Sequence, residues 1–332
     1  MKYILVIPVN HKNLGLFRDL ENRSDVQIMV AQQKPVKNSV LKFVKRVHNN
    51  YSINRIVKLP LRHLWNQKIR FDLDANENYC MIYLDGALPR LDLNYLKRVF
   101  ALPNTRNVLV LINSMNASSL MMQEAKPLFG QLAWDGIYTF DPGDVKQYGY
   151  LPLGLTYYSR RDPEELLRQY PDERRSDLYF TGGLKGGRDD LILSVFKRLD
   201  DAGADAEFHL MVWGEKRMQK KLYKEKIDYF SDMKPYEELL AGILRTKVIL
   251  EIVQEGQSGP SLRYHEAVCY NRKLLSNNPE IVNFPYYDPR YMRCFSSAEE
   301  IDPAWVMEDC EVDYGYRGDF SPVNMLDLVA RD

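Results

Sequence analysis

Two stretches carry residue types that could do chemistry. In Thr181–Arg188, TGGLKGGR, glycines lie between an apolar run and a helical pattern, with Lys185 and Arg188 among them. Glycines such as Gly183 let backbone N–H groups approach a phosphate closely, and a helix start adds positive potential. Lys185 supplies a mobile charge and Arg188 a planar fork suited to an oxyanion. The spacing is neither a P-loop, since no GK(S/T) ending follows, nor GxGxxG. The second stretch is 251–278, EIVQEGQSGPSLRYHEAVCYNRKLLSNN. Its polar turn ends in Pro260, which is placed to open a helix. Ser258, Gly259 and Ser261 then sit near a second positive helix end, and Arg263 points toward the same anion. Glu266 follows Arg263 by three residues, on the same helical face. A carboxylate there accepts two hydroxyls of a ribose. The plainer alternative is a surface Arg263–Glu266 pair, with His265 a satisfied polar side chain.

In the first half, polar residues follow apolar runs: Asn10-His11-Lys12, Asp85-Gly86, Asn113-Ser114 and Asp141. Asp85 and His11 have the chemistry to take a proton from an attacking hydroxyl. Asp72-Leu73-Asp74 has the DxD spacing of a metal site. It runs into the polar segment DANENY instead of ending a strand, so no metal is expected. Cys80, Cys269, Cys294 and Cys310 are scattered without CxxC spacing and read as reduced thiols of a cytosolic protein.

These residues need elements to position them. Apolar runs at 2–9, 26–31, 79–84, 108–112 and 136–140 alternate with helical patterns near 13–22, 92–100 and 117–128. That order is the signature of a parallel sheet covered on both faces. A charged, Pro- and Tyr-rich segment over 156–176 reads as a linker with one short helix. A second series follows: strand 177–181, helix 188–200, strand 207–213, a strand-like IDYFSDM, helix 235–245, strand 247–253, a helix from about 260 and strand 272–276. The expected fold class is α/β, with two Rossmann-like domains, 1–155 and 177–332, facing a cleft. The last helix is expected to pack back on the first domain. Ligands in such sheets bind beyond the carboxyl ends of the strands.

The chain's net charge of zero conceals an asymmetry: residues 1–70 hold 14 Lys/Arg against 3 Asp/Glu, a net of +11. Residues 37–70 contain nine basic side chains and no acid. In 39–49, Val40, Phe43, Val44 and Val47 share one helical face, and Lys42, Lys45 and Arg46 the other. Pro60 is placed to open a further helix carrying Arg62, His63 and Trp65. Such a block favours an anionic partner. A nucleic-acid partner is not expected, because no recognised module is present and aromatic interleaving is thin. No stretch reaches the roughly 20 apolar residues of a membrane span. The opening MKYILVIPVNHKNLG reads as a buried strand, not a leader.

TGGLKGGRDDLILSVFKRL resembles the loop and helix that open the donor domain of GT-B-fold glycosyltransferases. SGPSLRYHEAVCYNRKLLSNN is similar to their nucleotide-sugar segment, in the manner of bacterial capsule and lipopolysaccharide enzymes. The resemblance covers about 177–283 at motif level. It implies that Lys185 and Arg188 contact donor phosphate and that Glu266 binds the ribose. It departs in one respect: relatives carry a second Glu eight residues earlier, where this chain has Ser258. The implied activity is metal-independent sugar transfer from a nucleotide-diphosphate sugar to a glycan or lipid-linked acceptor. The implied place is the cytoplasm, peripheral to the inner face of the membrane, with 37–70 against anionic lipid. The rival readings are a non-catalytic nucleotide-sugar-binding protein and, behind it, a nucleic-acid-binding protein using the basic 37–70 region.

Overall fold

The computed structural model describes residues 1–48, 57, 62–117, 120–184, 188–212, 223–232 and 234–331. In the first lobe, β1 (Lys2–Pro8) leads into α1 (Val9–Asn13), β2 (Val26–Ala31) and α2 (Ser39–His48). Then come β3 (Tyr79–Leu84), α3 (Leu93–Phe100), β4 (Thr105–Leu111), α4 (Leu120–Phe129), β5 (Gly136–Thr139), α5 (Pro142–Tyr148) and β6 (Leu151–Pro152). Helix α6 (Pro163–Gln169) lies in the connection to the second lobe. That lobe holds β7 (Ser176–Gly183), α7 (Asp189–Asp201), β8 (Ala206–Met211), β9 (Asp228–Phe230), α8 (Tyr236–Leu244) and β10 (Thr246–Glu251). It continues with α9 (Leu262–Cys269), β11 (Lys273–Ser276), β12 (Met292–Cys294), α10 (Pro303–Met307) and α11 (Pro322–Arg331).

The strands form two parallel six-stranded sheets, ordered β2-β1-β3-β4-β5-β6 and β12-β11-β10-β7-β8-β9. The expected fold class, two Rossmann-like domains facing a cleft, is the one observed. The order in which strands are added reverses once in each sheet, between β1 and β3 in the first and between β7 and β10 in the second. Crevices at such switch points are where open α/β sheets bind ligands.

Alternation along the strands explains the layering. Leu5 and Ile7 of β1 enter a core that continues through Tyr179 of β7, Ile249 of β10 and Leu274 of β11, joining the lobes. Ile4 and Val6 face a separate core under α3 and α4. Leu178, Phe180, Val248 and Leu250 face a third, under α7. Helix α11 returns to the first lobe, where Val329 O accepts from Arg106 Nε at 3.0 Å.

Several expected elements differ. The helix expected over 13–22 is the short α1, a turn and one 3-10 turn at Arg18–Leu20. Gly15 has φ +55°. The Arg161 guanidinium there takes the carbonyls of Leu14 and Gly15 at 2.9 and 2.7 Å, so these are not available to a longer helix. Pro60 lies outside the described residues, and Arg62–Trp65 forms a 3-10 turn instead of an α-helix. The short edge strands β6 and β12 have too few residues to announce themselves by periodicity. Helix α2 forms as the pattern predicts, with no buried residue.

Candidate active site between the two sheets

The carboxyl ends of both sheets open on one cavity of about 210 Å³ between the lobes. First-lobe walls include His11, Asn113, Ser114 and Phe140; second-lobe walls include Gln254, Gln257 and Ser261. The sheets' switch points lie beside it.

His11 and Asp85 flank the switch point of the first sheet, one after β1 and the other after β3. His11 is almost fully buried, and its Nδ1 has no hydrogen-bond partner among the described residues. Burial, helped by Arg90, pushes its imidazole down to about 3, so the ring is neutral. Asp85 does not line the cavity. It is fully buried one layer behind, where its Oδ2 accepts from Asn113 Nδ2 at 2.8 Å. Burial pushes its carboxyl up to about 6, opposed by Asn113 and nearby backbone amides. Asp85, expected as a proton acceptor, thus lies behind Asn113, which it holds and which reaches the cavity. A strand-end Asp-Gly turns inward here because the following 3-10 turn, Asp85–Arg90, is itself buried at its start.

At the second sheet's switch point, Arg188 bridges the ends of β7 and β10. Its Nη1 donates to Ile252 O at 2.6 Å and its Nη2 to Gly183 O at 3.2 Å. Burial lowers the Arg188 guanidinium from its ordinary value. Lys185, with Gly186 and Gly187, lies outside the described residues.

The loop after β10 is pinned by groups on both lobes. Glu251, buried at the end of β10, accepts from Ser261 N at 2.7 Å and from Ser276 Oγ at 2.5 Å. Asn278 Nδ2 donates to Ser258 O at 2.9 Å. From the first lobe, Asp141 Oδ2 accepts the Ser258 N–H at 3.0 Å while its Oδ1 caps α5 through Gly143 N at 2.8 Å. Gly259 packs so closely that a Cβ there would lie 2.5 Å from the Phe140 ring and 3.1 Å from Asp141 Cα. Gly256, at φ +81°, brings its backbone against Asn116 O, which a Cβ would meet at 2.6 Å. The glycines of this turn therefore serve contact between the lobes. Sequence reading missed Glu251. Its signal was a lone acid closing the apolar run TKVILE, in register with Ser276 on β11.

Helix α9 begins at Leu262, capped by Ser261, whose Oγ accepts from Arg263 N at 3.2 Å, two residues beyond the expected start at Pro260. Every residue from Tyr264 to Cys269 is buried. Arg263 and Glu266 share a face as expected, but that face turns from the cavity into a box of Tyr158, Tyr179 and Tyr236. Glu266 accepts from Tyr236 Oη at 2.6 Å and pairs closely with Arg263 Nη1. Burial pushes its carboxyl up, against the pull of Arg263 and Tyr236. The surface-pair alternative is overturned, because the Glu266 side chain is fully buried and that of Arg263 is 15% exposed. In this conformation neither Glu266 oxygen is open to a diol.

His265 sits among aromatic rings, with Tyr157 and Phe320 at centroid distances of 4.7 and 4.8 Å. Its ring nitrogens face the carbonyls of Ser261 and Leu155 at 3.2 and 3.3 Å, and burial lowers its imidazole to about 4. Among the described residues, no group of three or more His, Cys, Asp or Glu is placed to hold a metal ion. Asp74 of the DxD triplet instead accepts from Asn76 N at 2.9 Å.

No family model and no curated protein matches the sequence. Solved structures do resemble the fold. AviGT4, a glycosyltransferase involved in avilamycin A biosynthesis, aligns over 100% of this chain and 99% of its own, with a TM-score of 0.50 at 11% identity. A UDP-forming α,α-trehalose-phosphate synthase from Burkholderia xenovorans aligns over 99% and 95%, with a TM-score of 0.49 at 13% identity. TarM aligns over 78% of this chain, which spans 56% of the TarM chain, with a TM-score of 0.47 at 10% identity. The arrangement of two parallel sheets facing a cleft is thus shared, at the level of fold, with the glycosyltransferase AviGT4.

Proposed function

We propose that the chain moves a sugar from a nucleotide-diphosphate sugar to a glycan or lipid-linked acceptor in surface polysaccharide synthesis. One observation carries this reading. The glycine-rich turn after β10, whose Gln257 and Pro260 line the cavity between the sheets, presents the Ser258 N–H to a carboxylate behind it, that of Asp141. An amide that already holds an oxyanion suits a donor phosphate once the lobes part. Arg188 and Lys185 are the cations assigned to the diphosphate. The acceptor oxygen displaces the diphosphate at the anomeric carbon, and His11 Nδ1 takes the acceptor's proton. A base held near 3 is weak at neutral pH, and the bound diphosphate raises it by Coulomb attraction. The assigned place is the inner face of a membrane. Val40, Leu41 and Phe43 stand exposed on α2 beside Lys42, Lys45 and Arg46, a combination suited to anionic lipid.

The rival, a nucleotide-sugar-binding protein without catalysis, draws on one feature: among the described residues, no carboxylate lines the cavity. Titration with UDP, GDP, dTDP and CMP, followed by incubation with the matching sugar donors, separates the readings. Saturable binding with release of free nucleotide, lost in His11→Asn while binding persists, supports transfer. Binding without turnover supports the rival, and no binding across the panel removes both.

A further inference from the structure

The connection from β1 to β2 leaves part of the first sheet uncovered. In a parallel crossover unit the helix packs over the strands that it joins. Here the crossover is the short α1, a turn and one 3-10 turn, because Arg161 holds the carbonyls of Leu14 and Gly15. Leu16, Phe17 and Leu20 cover β1, whose Leu5 and Ile7 are buried. Val26, Ile28 and Val30 stand on the same face of the edge strand β2, in register with Tyr3, Leu5 and Ile7, and stay only half-buried.

The result is a groove of about 440 Å³, lined by Ile7, Phe17, Val26, Ile28 and Val30, with His11 at its end. That volume lies within the roughly 300–1,000 Å³ of small-molecule sites. His11 also lines the cavity between the lobes, as do Leu14 and Leu16 of the same connection, so groove and cleft meet at His11. Among the described residues, the one formal charge in the lining is that of exposed Glu21. A lining without a cation disfavours a phosphate, whereas CH2 groups gain by covering the half-buried face of β2. The carboxyl end of β2, where the groove meets His11, also carries α2. There Lys45 Nζ donates to Lys34 O at 2.7 Å, and Val40, Leu41 and Phe43 stand exposed on the helix.

We propose that this groove holds the uncharged aliphatic chain of an amphiphile drawn from a lipid surface, with its hydroxyl-bearing head at His11 in the cleft. The role of that head rests on the sugar transfer proposed above: the amphiphile is then the acceptor, a neutral glycolipid or lipid alcohol. A lipid diphosphate does not fit, because its charge would lie where the groove offers no cation.

The test is methyl NMR of the full chain labelled at isoleucine, titrated with octyl β-glucoside below its micelle concentration and with methyl β-glucoside. Octyl β-glucoside should shift the Ile7 and Ile28 methyl signals saturably, and methyl β-glucoside should not. Hexyl β-glucoside should bind roughly tenfold more weakly than octyl, as two fewer buried CH2 groups require. Ile28→Gln and Val26→Gln, at half-buried positions of an edge strand, should each weaken octyl binding severalfold. Phe43→Gln, on α2, should leave it unchanged. Unmoved Ile7 and Ile28 signals, equal affinity for the hexyl and octyl chains, or unaltered octyl affinity in both groove variants overturns the proposal. The titration needs no donor, so the groove and the transfer activity fail separately. Methyl shifts without nucleotide binding keep the groove and remove sugar transfer; nucleotide turnover without methyl shifts keeps sugar transfer and removes the groove.

Discussion

The Ser258 N–H donates to Asp141 Oδ2 at 3.0 Å, joining the second lobe's glycine-rich turn to the helix cap of the first lobe. One carboxylate thereby holds α5 through Gly143 and the turn through Ser258. Asp141→Asn keeps a good helix cap and loses the charge on the bond between the lobes. Faster hydrogen exchange at 254–260 and severalfold tighter nucleoside diphosphate binding are expected. Equal exchange and affinity in mutant and parent would remove the latch.

The two glycines of that turn respond to any side chain. Gly256→Ala places a Cβ on Asn116 O from a left-handed backbone, and Gly259→Ala places one on the Phe140 ring. Each should lower stability by about 1–3 kcal/mol, or part the lobes. Urea denaturation measures the first outcome and small-angle scattering the second.

Arg263 and Glu266 form a buried pair, so removing one charge strands the other. Arg263→Ala should cost about 3–5 kcal/mol, and Glu266→Gln added to it should recover part of the loss. A double-mutant cycle in urea checks this. Costs that simply add would mean that the two side chains act independently.

Asp85 provides a pH test. Its folded carboxyl is raised to about 6 from 3.8, so the folded state binds more protons than the unfolded one between those values. Stability from this group is therefore present at low pH and lost as pH rises through 6. Asp85→Asn should match the parent below about pH 4 and exceed it by about 3 kcal/mol above pH 6. A flat difference across that window would show that burial does not raise Asp85.

On α2, Val40 and Phe43 are 68% and 66% exposed. Replacing Lys42, Lys45 and Arg46 with Gln should weaken binding to anionic liposomes by about 1 kcal/mol per charge, and less in high salt. Vesicle co-sedimentation reads this directly. Nucleotide affinity should stay unchanged.

The order of elements was legible in the chain because apolar runs and helical periods are local properties. Runs such as YCMIYL and VLVLI, buried on both sides, placed β3 and β4 in a parallel sheet, and the loops at their carboxyl ends marked the cleft. The asymmetry of charge and the face pattern of α2 were local too. Which way a side chain turns at the end of an element was decided by tertiary packing. Asp85 lies behind Asn113 because its turn is buried. Glu251 becomes the anchor of the turn after β10 only when Ser276 and Ser261 meet it across β11 and α9. Arg263 and Glu266 share a helical face by spacing alone. That face meets Tyr236 instead of solvent because α8 and the segment around Tyr158 close over a helix of only eight residues.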